Sequence, residues 1–173
     1  GSLVANSNIF TPANLNFDTA TSISGTGAFA PINAAINANG KVTLLSNATI
    51  TPGAVLTMLT GAVLNPNGFV LTYNSGEFNL YPGTTVSSPG TVRTLNNVAI
   101  YTGNSSAFNA DIKVNNGSLT SGTTSNDRIF GNVTIDSGTT YNCGWSSGRG
   151  TSFYGNVTNN GTLTATSTGG FIV

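Results

Sequence analysis

Residues 53–90 read GAVLTMLTGAVLNPNGFVLTYNSGEFNLYPGTTVSSPG. Glycines fall in this stretch at 53, 61, 68, 76, 83 and 90, in steps of seven or eight residues. Three steps make a block of 22 or 23, so Gly53 maps onto Gly76, Gly61 onto Gly83 and Gly68 onto Gly90. Between the glycines lie short β-prone runs. A chain that turns at such intervals is wound into a three-sided coil, and self-similarity at a period of 20 to 50 residues is the mark of a solenoid.

The C-terminal third repeats whole laps. Phe108, Phe130 and Phe153 are 22 and 23 residues apart, and each precedes a related phrase: DIKVNNG at 111–117, NVTIDSG at 132–138 and NVTNNG at 156–161. Alternation within these phrases points Ile112, Val114, Val133, Ile135 and Val157 inward, and sets Lys113, Thr134 and Thr158 in an outward column. The three phenylalanines are expected to form a buried column of their own. Asn-Gly pairs at 39–40, 67–68, 116–117 and 160–161 also suit the tight turns of an antiparallel sandwich. A sandwich has no reason to return similar phrases at a fixed lap, whereas a coil must. The expected fold is therefore all-β: a three-sided parallel β-helix of about 22–23 residues per coil.

Organisation follows from where this pattern holds. Gly1-Ser2 reads as a cloning scar. Residues 3–40 place their apolar residues irregularly, and 31–38 (PINAAINA) is the one stretch that could make a helical turn. This segment is expected to be an N-terminal cap or an irregular first coil. From Lys41 to Val173 the period-2 alternation sharpens and predicts six coils, a rod about 30 Å long at ~4.8 Å per coil. The chain stops on Gly-Phe-Ile-Val at 170–173, and an uncapped strand edge of that kind invites head-to-tail stacking on a second copy.

Composition narrows the function classes. Only 6% of the 173 residues are charged, with net charge zero, against about 25% in ordinary globular chains. The surface is instead hydrated by 24 Asn, 27 Thr, 18 Ser and 22 Gly. Without a basic cluster there is no electrostatic grip on nucleic acid, and no apolar run approaches the length of a membrane-spanning helix. Histidine is absent and Cys143 is the only cysteine, which removes Cys/His metal sites and His-based triads and implies no cofactor. Low charge and minimal cysteine point to a secreted or cell-surface protein. Six Asn-X-Ser/Thr sites (Asn47, Asn104, Asn116, Asn132, Asn156 and Asn160) match what chance gives in so rich a composition.

The phrases GNVTIDSGT at 131–139 and GNVTNNGTLT at 155–164 resemble the repeats of β-helical surface adhesins of the Bacteroidetes type and, more loosely, autotransporter passenger repeats. The resemblance covers about residues 41–173. It implies a secreted or surface module used for adhesion, spacing or matrix building, and it carries no position-specific functional residues.

Candidate chemistry is sparse. Glycoside hydrolysis needs two carboxylates facing each other about 5 to 9.5 Å apart, and the whole acidic supply is Asp18, Glu77, Asp111, Asp127 and Asp136. Asp111 and Asp136 are not an obvious same-column pair, and Asp136 is better placed for a surface ion pair with Lys113. A non-enzymatic protein is expected. The densest unusual chemistry is YNCGWSSGRGTSFY at 141–154, where Tyr141, Trp145, Arg149 and Tyr154 would form a stacking platform for surface glycans. Its plainer reading is a corner loop whose aromatics fill or cover the core, with Cys143 a small half-buried residue. Thr162–Thr168 resembles one rung of a threonine-faced ice-binding solenoid; Tyr141 and Cys143 on the preceding rung, and Lys113 in a neighbouring column, count against that function.

Overall fold

A computed structural model describes residues 1–6, 9–51, 55–103, 106–121, 127–143, 151–165 and 171–172. Every strand pairing among them is parallel, so the chain is a β-solenoid and the Asn-Gly pairs are not hairpin turns. The first face stacks nine strands: Ser2–Val4, Ala20–Ser24, Lys41–Leu44, Val63–Asn65, Thr85–Val86, Ala107–Phe108, Asp127–Ile129, Thr151–Phe153 and Phe171–Ile172. Six of the steps in this stack follow Lys41–Leu44, the six coils expected from the alternation. The second face runs from Ile9–Phe10 to Val157–Asn159, and the third from Asn14–Phe17 to Thr162–Ala165.

The second and third faces fuse where two long strands, Val70–Leu80 and Thr91–Thr102, run through the corner between them. The corner is a bulge. The register passes from Asn74↔Leu95 to Gly76↔Val98, so Ser75 faces both Asn96 and Asn97. Ser75 and Asn96 take positive φ (69° and 56°), the bend that carries the chain onto the next face. The glycine spacing has the same cause: Gly61, Gly68, Gly76, Gly83 and Gly90 all have φ between 76° and 135°, where a Cβ is disfavoured. Gly53 lies outside the described residues.

Inward side chains stack by kind. On the first face Val42, Leu64, Val86, Phe108, Ile129 and Phe153 form one register-matched column, each 4% exposed or less. The second face contributes Leu71, Val92, Ile112, Val133 and Val157. The third contributes Leu56, Phe78 and Ile100, then Leu119, Tyr141 and Leu163. The faces meet through rings: Phe78 lies 5.5 Å from Tyr73 and 6.2 Å, edge-on, from Phe108. Full burial of each such side chain favours the fold by about 1.5–3 kcal/mol.

Two expectations need correction. Phe130 is not in the phenylalanine column; it is 40% exposed, and Ile129 holds the inward place between Phe108 and Phe153. The actual laps are 21 and 24 residues, where the spacing of phenylalanines reads 22 and 23. A slip of one residue turns a side chain to the other face of the sheet. The N-terminal segment also coils from the start. Ser2 pairs with Ser22, and Asn14 with Asn33, in laps of 20 and 19 residues. Asn33–Ile36, where a helical turn was conceivable, is a strand with Ala34 and Ile36 buried. Strands on both sides, Asn14–Phe17 and Val55–Met58, fix it in the extended state. The shorter laps are what makes the apolar spacing there look irregular.

Candidate functional site

Of the four residues expected to form a glycan platform, Tyr141 and Tyr154 are among the described residues, and they differ in exposure. Tyr141 is fully buried, its ring edge-on to Phe153 at 5.6 Å, so it has no face to offer a ligand. Its alternation within Thr140–Cys143 dictates this: Tyr141 and Cys143 point inward while Thr140 and Asn142 point out. Tyr154 is 62% exposed and stacks on Phe130, ring centroids 4.6 Å apart and planes 12° from parallel. Trp145 and Arg149 lie outside the described residues. Cys143 is not half-buried but fully buried.

Asp18, Asp111 and Asp136 serve the scaffold. Asp136 pairs with Lys113 at 3.4 Å, the pairing expected from their lap spacing, and accepts a hydrogen bond from Asn115 Nδ2 at 2.6 Å. Asp111 accepts from the backbone N–H of Asn132 at 2.8 Å and from its Nδ2 at 3.1 Å. Asn132 Oδ1 in turn accepts from the backbone N–H of Asn156 at 3.1 Å. Asp111 stands at the entry of the second face and Asp136 just past its exit. Four residues of extended chain, about 13 Å, separate their positions along the strand, beyond the spacing of a glycosidase pair. Asn37 donates to Asp18. The side chain of Asp127 is outside the description.

Polar ladders of this kind line the other corners. Asn96 donates to Asn74 and accepts from Asn116. On the third face Ser118 donates to Asn97 at 3.0 Å and Thr164 donates to Asn142. This face carries three successive uncharged rungs, Ser118/Thr120, Thr140/Asn142 and Thr162/Thr164, in register. The features that counted against a threonine-faced array are elsewhere: Tyr141 and Cys143 lie inside, and Lys113 belongs to the second face.

One hollow departs from the laddered surface. A cleft of about 360 Å³ opens on the third face among Glu77, Asn79, Tyr81, Pro82 and Tyr101. Glu77 and Asn79 point outward from Val70–Leu80, and Tyr101 stands one lap above Asn79. Tyr101 is followed by Gly103, which has no side chain and lines the depression beside it. Gly103 is also held to the rung below, its N–H donating to Leu80 O at 2.6 Å; a Cβ there would meet Pro82 N at 2.7 Å. Tyr81 is 50% exposed. Burial, reinforced by the charge of Glu77, raises the Tyr101 phenol above its ordinary value, so it stays a hydrogen-bond donor. Sequence reading picks out only Glu77 of these residues, as one of the five acids. Their lap spacing was visible, but the hollow depends on which rungs carry small residues.

A second hollow of about 410 Å³ lies on the second face. Several of its polar groups are already engaged: Arg93 Nη2 donates to Thr72 Oγ1 at 2.8 Å, Val70 N–H to Asn47 Oδ1 at 2.9 Å and Ser46 to Gly25 O at 3.1 Å. Comparison with family models, curated proteins and solved structures gives no match in any of the three.

Proposed function

We propose that the chain is a non-enzymatic, extracellular β-solenoid module, a rigid structural or adhesive unit of a larger surface protein or of a self-assembling filament. The observation that carries this reading is how the polar side chains are spent. Groups that an enzyme would aim at a substrate here join one coil to the next: Asp111 to Asn132 to Asn156, Asp136 to Lys113 and Asn115, and Asn74 to Asn96 to Asn116. A stack so joined is stiff along its axis, with each rung resting on its neighbours. Only 6% of the residues are charged, which favours contact with neutral partners.

A second copy is one such partner. In this chain the strand stack of the first face runs from Ser2–Val4 to Phe171–Ile172, and each of these two strands is paired on one side. Parallel, in-register strands make two such ends complementary, so a further coil or another copy continues the ladder head to tail. Surface glycans are the other partner class. The carbohydrate-binding alternative at 141–154 keeps Tyr154, stacked on Phe130 at the surface, and loses the ring of Tyr141 to the core.

Incubation with a broad polysaccharide panel tests the non-enzymatic reading: no new reducing ends and no unsaturated sugar products are expected, and the release of either overturns it. Sedimentation at rising concentration tests the filament form. Growing end-to-end species are expected; a strictly monomeric chain at high concentration removes that form.

A further inference from the structure

We propose that the cleft formed by Glu77, Asn79, Tyr81 and Tyr101 is a binding site for a neutral saccharide. The inference deepens the adhesive reading and rests on it. Its starting point is a contrast. Elsewhere on this rod outward carboxylates and amides such as those of Asp111, Asp136, Asn96 and Asn132 bond to a neighbouring rung. In this hollow the Glu77 carboxylate, the Asn79 amide and the phenols of Tyr81 and Tyr101 make no side-chain hydrogen bond or ion pair to any described residue. Four residues with hydrogen-bonding side chains therefore line one cavity of about 360 Å³, within the size range of small-ligand sites, with that capacity unspent.

Their chemistry selects the ligand. Glu77 offers two acceptor oxygens for hydroxyl pairs, in charge-assisted bonds stronger than neutral ones. Asn79 offers both an acceptor and donors, and Tyr101 a donor. Tyr81 and Pro82 add exposed apolar surface, and the Tyr81 ring gives the flat apolar body with a polar tip that suits a sugar's C–H face and hydroxyl rim. No Lys or Arg lines the cleft, and the carboxylate repels phosphate, sulfate and uronate groups. An extended peptide is poorly served as well. Adding a strand needs a free sheet edge, and Glu77–Leu80 is already paired below with Val55–Met58 and above with Ala99–Thr102.

The test is retention of the whole chain on an array of neutral oligosaccharides, with titration of any glycan retained. Binding to at least one neutral glycan is expected. Tyr101→Ala and the near-isosteric Glu77→Gln are each expected to weaken it by about tenfold or more, the cost of losing a donating phenol or a charge-assisted bond. Tyr154→Ala, at the other aromatic patch, is expected to leave affinity within about twofold, as suits a distant residue. Should Tyr101→Ala fail to fold, Glu77→Gln decides. Silence across the neutral glycans, retention of anionic glycans alone, or affinity that follows Tyr154 and ignores Glu77 overturns the proposal. These outcomes are separable from failure of the underlying reading, which is sunk by turnover of a polysaccharide whatever the array shows.

Discussion

Ile129 and Phe130 are adjacent in sequence and opposite in fate. Ile129 is fully buried in the first-face column, and Phe130 is stacked on Tyr154 at the surface. Ile129→Ala is expected to cost about 2–5 kcal/mol. Phe130→Ala is expected to cost only the exposed ring contact, about 0.5–1.5 kcal/mol. Urea denaturation of both variants checks this, and the reverse order would mean that the lap is shifted by one residue. Thr94 makes the complementary case. It sits 1% exposed in an inward column between Tyr73 and Val114, and its hydroxyl has no hydrogen-bond partner among the described residues. Thr94→Val removes an unsatisfied buried hydroxyl at constant shape, so a gain of about 1 kcal/mol is expected in the same assay. The phrases at 111–117, 132–138 and 156–161 were legible to the residue because their register follows an unbroken motif. The phenylalanines were not, because a phenylalanine is equally at home inside a column or stacked outside on a tyrosine. Only strict alternation, which makes Ile129 the inward residue, separates the two.

The long strand Val70–Leu80 shows how neighbouring faces are joined. Tyr73, on the second face, donates its hydroxyl to the carbonyl of Glu77 beyond the corner at 2.5 Å and accepts the N–H of Leu56 on the third face at 3.2 Å. Burial raises this phenol well above its ordinary value of 10; the Leu56 N–H opposes the rise and the charge of Glu77 adds to it. Below about pH 10 the protonated phenol's contribution is complete. Above it the unfolded chain releases the proton while the folded chain retains it, so stability falls as pH rises, by about 1.4 kcal/mol per pH unit from this group. Tyr73→Phe is expected to cost about 1–3 kcal/mol at pH 7, by orphaning two buried backbone groups. The variant's stability should also decline less steeply between pH 10 and 11 in urea titrations. At this scale the sequence revealed where turns occur, through its glycines, but not which side the chain takes between them. The cleft stayed hidden for the same reason: Gly103 borders a hollow only once Tyr101 is known to stand over Asn79.

The whole molecule is a stack in which each rung is supported by two others, so protection from opening should depend on distance from the ends. Side chains grade in that direction: Val133 and Tyr141 are 1% exposed or less, whereas Val157 and Leu163, one lap beyond them, are only half-buried. Amide exchange is expected to be slowest from Val63 to Ile135 and clearly faster over Val157–Ala165; uniform protection along the rod would contradict a rung-by-rung architecture. The same gradient bears on Cys143, which lies in the last well-buried inward row, between Ser121 and Ala165 in register. The only cysteine of the sequence is thereby shuttered by the rung Thr162–Ala165. Alkylating reagents should leave it untouched in the intact protein and modify it as soon as that rung frays under heat or tension, so the molecule carries its own gauge of unravelling.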